Sequence, residues 1–335
     1  MKRMLLGSTV MVAAIACQDA TSPRGIPMPE PALDESAPVG IMASTQRFAV
    51  VSAAGALTTG NLVSGVSKLG TGQYEVTFSS NVSQCGYVVT TGNAYSQAIQ
   101  AYAAGGHLGP QGVFVETKNQ GGGLTDGPFH LIVTCGDTGI PFAVVGYTAN
   151  FVRGSAGVSM AYLGAGRYTI TFPTAVTSCS FVASVNDPGN ALVFSPSAVY
   201  TGSNINPNVV YVETKNPGGG LQDGVPFHLA AVCLGVVKSR FAVVQSNGIL
   251  SRGNPSLASS KPSTGNYVIS TNRLLTNCAT VATRGSVGTA VPFQPATMEI
   301  TAGPSAMSVG VQVRDLLFSG GALVNRAFHA ASLCL

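Results

Sequence analysis

Two copies of an acid–base pattern contain the residues of this chain that are best suited to chemistry. Each copy has two carboxylates followed by a histidine: Glu116, Asp126 and His130, and then Glu213, Asp223 and His228. A carboxylate that lies beside a histidine can accept and return protons during bond cleavage. The pattern therefore indicates a hydrolase as one candidate function.

A third copy of the surrounding sequence argues against this reading. We align Arg314 with Glu116, and we align Asn325 with Asp126. His329 nevertheless remains in the third copy, without either carboxylate. A histidine that is kept without its partners is more typical of a hydrogen bond to backbone or across an interface. We therefore predict no enzymatic activity and no cofactor, and we assign the histidines to an interface: His130, His228 and His329.

Other motifs for a chemical site are weak. The glycine runs at 121–123 and 218–220 lack the Lys-Ser/Thr of a phosphate loop and join one predicted strand to another. The four histidines are too dispersed to predict a metal site. The chain has no tryptophan, so the usual stacking platform for a sugar is missing. Exposed tyrosines would have to replace it.

The landmarks of the threefold repeat have fixed spacing. In every copy a tyrosine follows a phenylalanine by 26 residues, and a cysteine follows that tyrosine by 11. Each copy then ends with Phe-His-x4-Cys. The landmarks are Phe48, Phe142 and Phe241; Tyr74, Tyr168 and Tyr267; Cys85, Cys179 and Cys278; and Cys135, Cys233 and Cys334.

Six of the seven cysteines thus form three pairs. Only one way of joining them keeps every copy self-contained: Cys85 with Cys135, Cys179 with Cys233, and Cys278 with Cys334. Each such disulfide would stabilise its unit by roughly 4 kcal/mol through loop entropy. Disulfides persist in exported proteins, so the pairs predict an oxidising compartment.

The N-terminal segment 1–17 supports export. Lys2 and Arg3 provide a positive start, and the 13 mostly apolar residues that follow are too short for a transmembrane helix of about 20 residues. The sequence Ala-Ile-Ala-Cys at 14–17 resembles the lipobox of bacterial lipoproteins, although leucine is usual where Ala14 stands. We therefore expect Cys17 to carry lipid, the alternative being an ordinary cleaved signal peptide. By the same resemblance, Gln18 favours the outer membrane.

The rest of the chain divides into a tether and three units. Residues 18–45 are rich in proline and lack hydrophobic periodicity, which predicts an extended tether. Units 1, 2 and 3 are residues 46–139, 140–238 and 239–335, and each is long enough for its own core. The short joins between units leave little flexibility. We therefore expect them to pack together, as a pseudo-trimer within one chain or as part of a homo-oligomer.

Apolar and polar residues alternate within each unit. Tyr74, Val76 and Phe78 alternate with polar neighbours, and the same pattern recurs near Tyr168. This period of two is typical of a half-buried strand. The segment 96–104 is the nearest to an amphipathic helix, and it is short. About seven strands per unit predict an all-β fold of three tandem antiparallel β-sandwich units with one disulfide each.

The closing strand of each unit indicates which face is buried. Phe129, Leu131 and Val133 share the face of Cys135, while His130 and its alternate neighbours lie on the other. The histidine face is apolar in the other two copies as well. We expect it to pack against a neighbouring unit or subunit.

Positive charge is concentrated in unit 3. This unit has a net charge of +5, and the rest of the chain is slightly acidic, which gives the net charge of +4 for the whole chain. A basic surface would favour an anionic polysaccharide or the envelope surface as a partner. We assign this contact to six residues of unit 3: Arg252, Lys261, Arg273, Arg284, Arg314 and Arg326. Nothing in the sequence predicts a nucleic-acid partner.

The order of these motifs resembles a β domain of uncharacterised bacterial exported proteins. The matching segments are the Phe-Ala-Val-Val start, the Gly-x-Tyr-x-Val-x-Phe strand and the closing Phe-His-Leu-x3-Cys, over nearly all of 46–335. The domain is distantly similar to the trimeric tip domains of phage tail fibres. The resemblance implies attachment or surface display, although a fibre tip is not built from three covalently joined copies.

These observations predict a non-enzymatic, lipid-anchored protein of the bacterial cell envelope, in the outer membrane, that displays β-sandwich units for structural or adhesive contacts. An array of carbohydrate-binding modules is the alternative. A hydrolase that uses the Glu-Asp-His pattern is the third candidate.

Overall fold

The computed structural model describes residues 45–92, 98–191, 196–289, 295–316 and 321–335. The proposed lipidation site Cys17 and the tether up to residue 44 lie outside the described residues. Residues Ala43–Leu335 form one compact unit. Regular structure in the described residues is entirely β-strand, and among them no helix has the length and apolar character needed to cross a bilayer.

Unit 1 is an eight-stranded antiparallel sandwich. One sheet has the order β2-β1-β8-β5 and the other has the order β3-β4-β7-β6. The strands are β1 (Arg47–Val51), β2 (Leu57–Asn61), β3 (Val63–Gly70), β4 (Gln73–Phe78), β5 (Gly86–Gly92), β6 (Ile99–Gly105), β7 (Gly112–Asn119) and β8 (Phe129–Thr134).

Unit 2 repeats this arrangement, with sheets ordered β10-β9-β16-β13 and β11-β12-β15-β14. The strands are β9 (Phe142–Val145), β10 (Phe151–Gly154), β11 (Ser159–Gly164), β12 (Arg167–Thr171), β13 (Cys179–Val185), β14 (Ala198–Ser203), β15 (Val209–Lys215) and β16 (Phe227–Cys233).

Unit 3 has the same strand order, with sheets β18-β17-β24-β21 and β19-β20-β23-β22. A short parallel pairing of β22 with β5 joins it to unit 1, at Ile300 and Gly92 for example. The strands are β17 (Ser239–Val244), β18 (Leu250–Gly253), β19 (Ala258–Ser263), β20 (Asn266–Ser270), β21 (Cys278–Arg284), β22 (Ala296–Ala302), β23 (Ser308–Asp315) and β24 (Phe328–Cys334).

The all-β prediction is confirmed, with eight strands in each unit rather than about seven. One strand that the sequence did not indicate is β6, which lies in the segment with the nearest pattern to a short amphipathic helix. β6 pairs with β7 along its whole length, so hydrogen bonding within the sheet outweighs the weak helical pattern.

The repeated tyrosine holds the two sheets of each sandwich together. In unit 1 the ring of Tyr74 on β4 lies 5.3 Å from that of Phe129 on β8, in the opposite sheet. Its buried hydroxyl donates to the carbonyl oxygen of Ala53 at 2.9 Å. Unit 3 has the same contacts, since Tyr267 packs on Phe328 and donates to the carbonyl of Ser246. In units 1 and 3 the aromatic pair therefore fills the core and the polar atom of its tyrosine is satisfied. In unit 2 the ring of Tyr168 lies 5.2 Å from that of Phe227.

The disulfides have the predicted pairing, with each bond inside one unit. Cys179 lies directly opposite Cys233 in the β13–β16 ladder, and Cys278 lies opposite Cys334 in the β21–β24 ladder. The third bond joins Cys85 to Cys135. All three close the same end of the same sheet, and they link the strands that face the neighbouring units.

A fourth apolar cluster lies between the sandwiches. It contains residues from all three units, among them Val88 and Ile132 of unit 1, Val182 of unit 2 and Val281 of unit 3. The strands β5, β13 and β21 are buried at every position, which a strand of an isolated sandwich would not be. One face of each lies in its own core and the other lies in this central cluster.

Candidate functional sites at the junctions between units

The three closing-strand histidines join the units in a ring. Each one accepts a hydrogen bond at Nδ1 from a backbone N–H of another unit. The pairs are His130 with Thr280 at 3.1 Å, His228 with Tyr87 at 3.0 Å, and His329 with Phe181 at 2.9 Å. Unit 1 thus accepts from unit 3, unit 3 from unit 2 and unit 2 from unit 1. These contacts between units therefore lie on the face of each closing strand that carries the histidine.

Loss of solvation favours the neutral form of these imidazoles, although part of the His130 side chain remains accessible. Burial lowers the pKa of His130 to about 4 and that of His329 to about 3. Burial, together with the nearby charge of Arg153, lowers the pKa of His228 well below its ordinary value. A neutral ring that accepts at Nδ1 carries its proton on Nε2. The charge state and the hydrogen bond therefore agree.

A hydroxyl residue that lies directly opposite each histidine, on the adjacent strand, makes a second ring of contacts. Ser184 accepts from the backbone N–H of Val89 at 3.0 Å, so unit 2 again contacts unit 1. The equivalent residues contact their neighbours in the same sense: Thr90 bonds the backbone of Ala282, and Thr283 bonds the backbone of Ala183. Each junction is therefore fixed by at least two buried polar contacts.

Neighbouring groups come very close to the chain at the end of each buried strand. The residue there is therefore either small or bonded to a specific partner. A side chain at Gly92 would come within 3.0 Å of the His130 ring, and one at Gly285 would come within 2.9 Å of the His329 ring. Unit 2 has Asn186 at the corresponding place. Its amide accepts from the N–H of Ala103 and donates to the carbonyl of Tyr87, both in unit 1.

Arginines close two of the three junctions. Arg153 of unit 2 donates from Nε to the carbonyl oxygen of Cys85 at 3.2 Å, and its guanidinium lies 6.0 Å from the ring centre of Tyr87. Arg252 of unit 3 donates in the same way to Cys179 at 2.7 Å and lies 5.2 Å from the ring centre of Phe181. Each pairs a cation with an aromatic face across a junction.

The junction between units 3 and 1 lacks both members of this pair. Thr59 lies opposite Val50 in its hairpin, as Arg153 lies opposite Val144. Thr280 follows Cys278 by two residues, as Tyr87 follows Cys85. Two threonines therefore occupy the positions that an arginine and an aromatic ring occupy at the other junctions.

A groove of about 520 Å³ lies at this junction. Its volume is in the range of roughly 300–1,000 Å³ that ligand sites occupy. Both threonines line it, together with His130, Cys278, apolar side chains such as Ile300, and further hydroxyls. None of the described lining residues carries a charged side chain other than the titratable imidazole. His130 is only half-buried here, whereas His228 and His329 are fully enclosed.

A smaller cavity lies where the three buried strands meet. It measures about 70 Å³ and is lined by all three units, including Thr90, Ser184, Thr283 and Arg284. This volume has room for a few water molecules and is well below that of a ligand site. The groove is therefore the better candidate site in the described part of the chain.

The proposed catalytic residues of unit 1 have separate partners. Glu116 pairs with Lys118 at 2.8 Å, with both side chains buried. Asp126 pairs with Lys68 at 2.6 Å. The Lys68 ammonium and the backbone N–H of Gly72 lower the pKa of Asp126, so it stays charged. Neither carboxylate is bonded to His130, and the arrangement does not provide the contacts of an acid–base cluster.

The aspartate has a structural role that asparagine can also fill. Asp126 accepts from the N–H of Gly72 at 2.7 Å, in the turn between β3 and β4. Asp223 accepts from Gly166, and in unit 3 the neutral Asn325 accepts from Gly265. Because an amide oxygen satisfies the turn equally well, charge is not the property that this position needs.

The strand register corrects the alignment of Arg314 with Glu116. Glu116 lies opposite Gln73, and the residue in the same place in unit 3 is Gln312, opposite Asn266. Arg314 therefore takes the place of Lys118. Arg314 donates from Nε to Glu299 at 3.0 Å, so unit 3 retains a buried ion pair whose acid comes from the adjacent strand.

Three of the six residues assigned to an anionic surface contact other residues of the chain through their guanidinium groups, and the assignment itself stays a prediction. Arg252 lies in a junction, and Arg314 is paired with Glu299. Arg284 is 3% exposed, its guanidinium lies 5.8 Å from the ring centre of Tyr200, and burial lowers its pKa to about 10. The remaining three are accessible: Arg273 is exposed, and Lys261 and Arg326 are half-buried.

Of the junction arginines and their threonine replacements, only Arg252 was among the predicted site residues, and it was assigned to an anionic surface instead of a junction. A comparison of the three hairpins alone would have shown the threonine at position 59. Within the described residues, no group of three or more His, Cys, Asp or Glu side chains is placed to hold a metal ion. Comparisons of the chain with protein-family models, with curated proteins and with solved structures found no match.

Proposed function

We propose that this chain is a non-enzymatic, lipid-anchored protein of the bacterial cell envelope, in the outer membrane, that displays three β-sandwich units for structural or adhesive contacts. One observation carries the proposal. The residues most suited to catalysis have separate structural partners. The histidines join units, as His228 joins the backbone of Tyr87, the aspartates bond turns, and the glutamates pair with lysines of their own strands.

The architecture supports a role that needs rigidity. Each sandwich is closed by a disulfide, and each junction has buried hydrogen bonds. Such contacts order the surface before a partner binds and so lower the entropic cost of binding. Accessible cations on unit 3, above all Arg273, provide a contact for an anionic polymer or envelope surface.

Carbohydrate binding is the second candidate, and the groove favours it. Hydroxyl side chains such as Thr276, Thr301 and Ser305 line the groove and could bond a sugar. Among the described residues that line it, the imidazole of His130 is the one aromatic ring, so these residues provide no ring of the usual kind for stacking.

Membrane fractionation of the native chain and a Cys17→Ser variant would test the anchoring. We expect the native protein in the detergent-soluble envelope fraction, carrying incorporated fatty acid, and the variant in the soluble exported fraction. The same fraction for both chains would contradict lipid anchoring.

Adhesion of cells that express the two chains would test the contact role. We expect adhesion to purified envelope polymers for the native chain and its loss with Cys17→Ser. A glycan array probed with the soluble variant separates the second candidate, since selective binding to neutral glycans would favour a carbohydrate-binding module. Turnover of a hydrolase substrate by the purified chain would contradict both.

A further inference from the structure

We propose that the groove between units 3 and 1 binds an arginine side chain of a partner polypeptide. The groove is defined here by Thr59, His130, Cys278, Thr280 and Ile300. This inference rests on the proposed contact function and names the chemistry of one partner. A guanidinium supplied by the partner would complete the one junction that lacks its own.

The molecule shows twice which group fits at this position. Arg252 donates from Nε to the carbonyl oxygen of Cys179 at 2.7 Å and from Nη1 to that of Val287 at 3.1 Å. Arg153 makes the equivalent bonds to Cys85 and Pro188. In both cases the partners of the guanidinium are backbone carbonyls, which any sequence provides. The planar fork of donors suits such a set of acceptors better than an ammonium would.

The third junction keeps the cysteine carbonyl that accepts from Nε and lacks the donor, while the residue equivalent to Pro188 and Val287 lies outside the described residues. Cys278 is equivalent to Cys85 and Cys179 and lines the groove. Thr59 takes the place of the arginine, and its side chain is too short to span the junction as Arg153 and Arg252 do. In the described residues, no hydrogen bond runs from the Thr59 side chain to Cys278. A guanidinium that enters from outside would find the same carbonyl.

The second replacement provides space for a polypeptide segment. Thr280 replaces a ring as large as that of Tyr87 or Phe181, so the opening extends beyond the volume of one arginine. Apolar side chains such as Ile300 and Leu275 line part of the remainder and offer contacts to residues that flank the arginine. The described lining residues include no lysine or arginine, so none of them is a cation that would repel the ligand.

The test is a titration of the isotope-labelled Cys17→Ser chain with N-acetyl-arginine amide, followed by NMR. We expect signals of Thr59, Thr280 and His130 to shift and saturate. N-acetyl-citrulline amide has the same shape without the charge, and we expect it to bind about tenfold or more weakly, since charge-assisted hydrogen bonds are roughly twice as strong as neutral ones. Equal binding of both probes would overturn the proposal.

Thr59→Arg should fill the groove from within and abolish the shifts. Ser67→Arg is the matched control because it adds the same charge on the exposed strand β3, outside the groove. We expect it to bind as the parent does. Binding that persists in Thr59→Arg would overturn the proposal.

A gain-of-site variant keeps the test independent of any folding defect in Thr59→Arg. The double variant Arg153→Thr with Tyr87→Thr copies the threonine pair into the junction of units 1 and 2. We expect a second set of shifts there, and a single site would count against the proposal. Membrane fractionation does not involve the groove, so an anchored, adhesive chain that fails to bind arginine amide would refute this inference alone.

Discussion

The Nδ1 atom of His228 in unit 2 lies 3.0 Å from the backbone nitrogen of Tyr87 in unit 1, and the two rings are 5.2 Å apart. Both residues are fully buried. The histidine is therefore a hydrogen-bond acceptor that joins two sandwiches. Its equivalents in units 1 and 3 do the same, and this explains why the histidine is kept in every copy.

Replacing His228 should weaken the junction in a way that depends on the acceptor. His228→Leu leaves the buried N–H of Tyr87 unsatisfied, which costs about 1–3 kcal/mol. His228→Asn keeps an acceptor in a similar place and should cost less. Urea unfolding of the two variants measures the difference. Equal losses would mean that the hydrogen bond contributes little.

Removal of one disulfide should lower stability by about 4 kcal/mol, because the bond between Cys179 and Cys233 closes a loop of 54 residues. The double variant Cys179→Ala with Cys233→Ala retains the packing of the ladder. Denaturant unfolding of the oxidised parent and the variant checks the value. A change below about 1 kcal/mol would contradict the estimate from loop entropy.

The fold follows from local patterns that the sequence displays directly. The alternation around Tyr74 predicts a half-buried strand, and the repeated spacing predicts the pairing of Cys85 with Cys135. The strand β6 was harder to predict, because its residues are nearly all buried and do not alternate. The position of Arg314 was also misjudged, since only the strand register shows that it replaces Lys118.

The candidate site could not be predicted from local patterns. Thr59 and Thr280 are far apart in the chain and meet only because units 1 and 3 pack together. The same packing encloses Arg284 and places Arg252 against the backbone of unit 2, although composition alone assigned both to the surface. Charge along a sequence does not show which side chains a neighbouring unit will cover.

Arg153→Thr should open a second junction at a measurable cost. The change removes donors to the carbonyls of Cys85 and Pro188, and hydrogen bonds from charged groups contribute about 1.5–3 kcal/mol. Arg273→Thr is the control, because Arg273 is exposed and its loss should change stability by less than about 0.5 kcal/mol. Thermal unfolding compares them, and equal midpoints would contradict a bracing role for Arg153.

Two arginines of unit 3 should differ in how they affect adhesion and stability. Arg273 is exposed and lies close enough to Arg240 to help lower its pKa, after burial, so the two form a small cationic surface. Arg273→Ser should reduce retention on an acidic polymer column at low salt, with no change in unfolding. Arg284→Ser should instead lower the unfolding midpoint, since Arg284 is buried. Unchanged retention of Arg273→Ser would refute the surface contact.

The central claim is that the three closing-strand histidines are neutral hydrogen-bond acceptors that join units. A pH dependence of folding stability follows from this claim. Burial lowers the pKa of His130 to about 4 and that of His329 to about 3. Below the unfolded value of about 6.5 the unfolded chain binds more protons than the folded chain. Stability should therefore fall as the pH falls through this window, by up to about 1.4 kcal/mol per pH unit for each histidine.

Long-range proton–nitrogen NMR spectra of the histidine rings between pH 7.5 and 4.5 test this claim most directly. We predict the Nε2–H tautomer for His130, His228 and His329 at neutral pH, with no protonation midpoint above about pH 5. Midpoints near 6.5, or a proton on Nδ1, would contradict the account, because the rings would then be free to act as acids and bases and would not join the units.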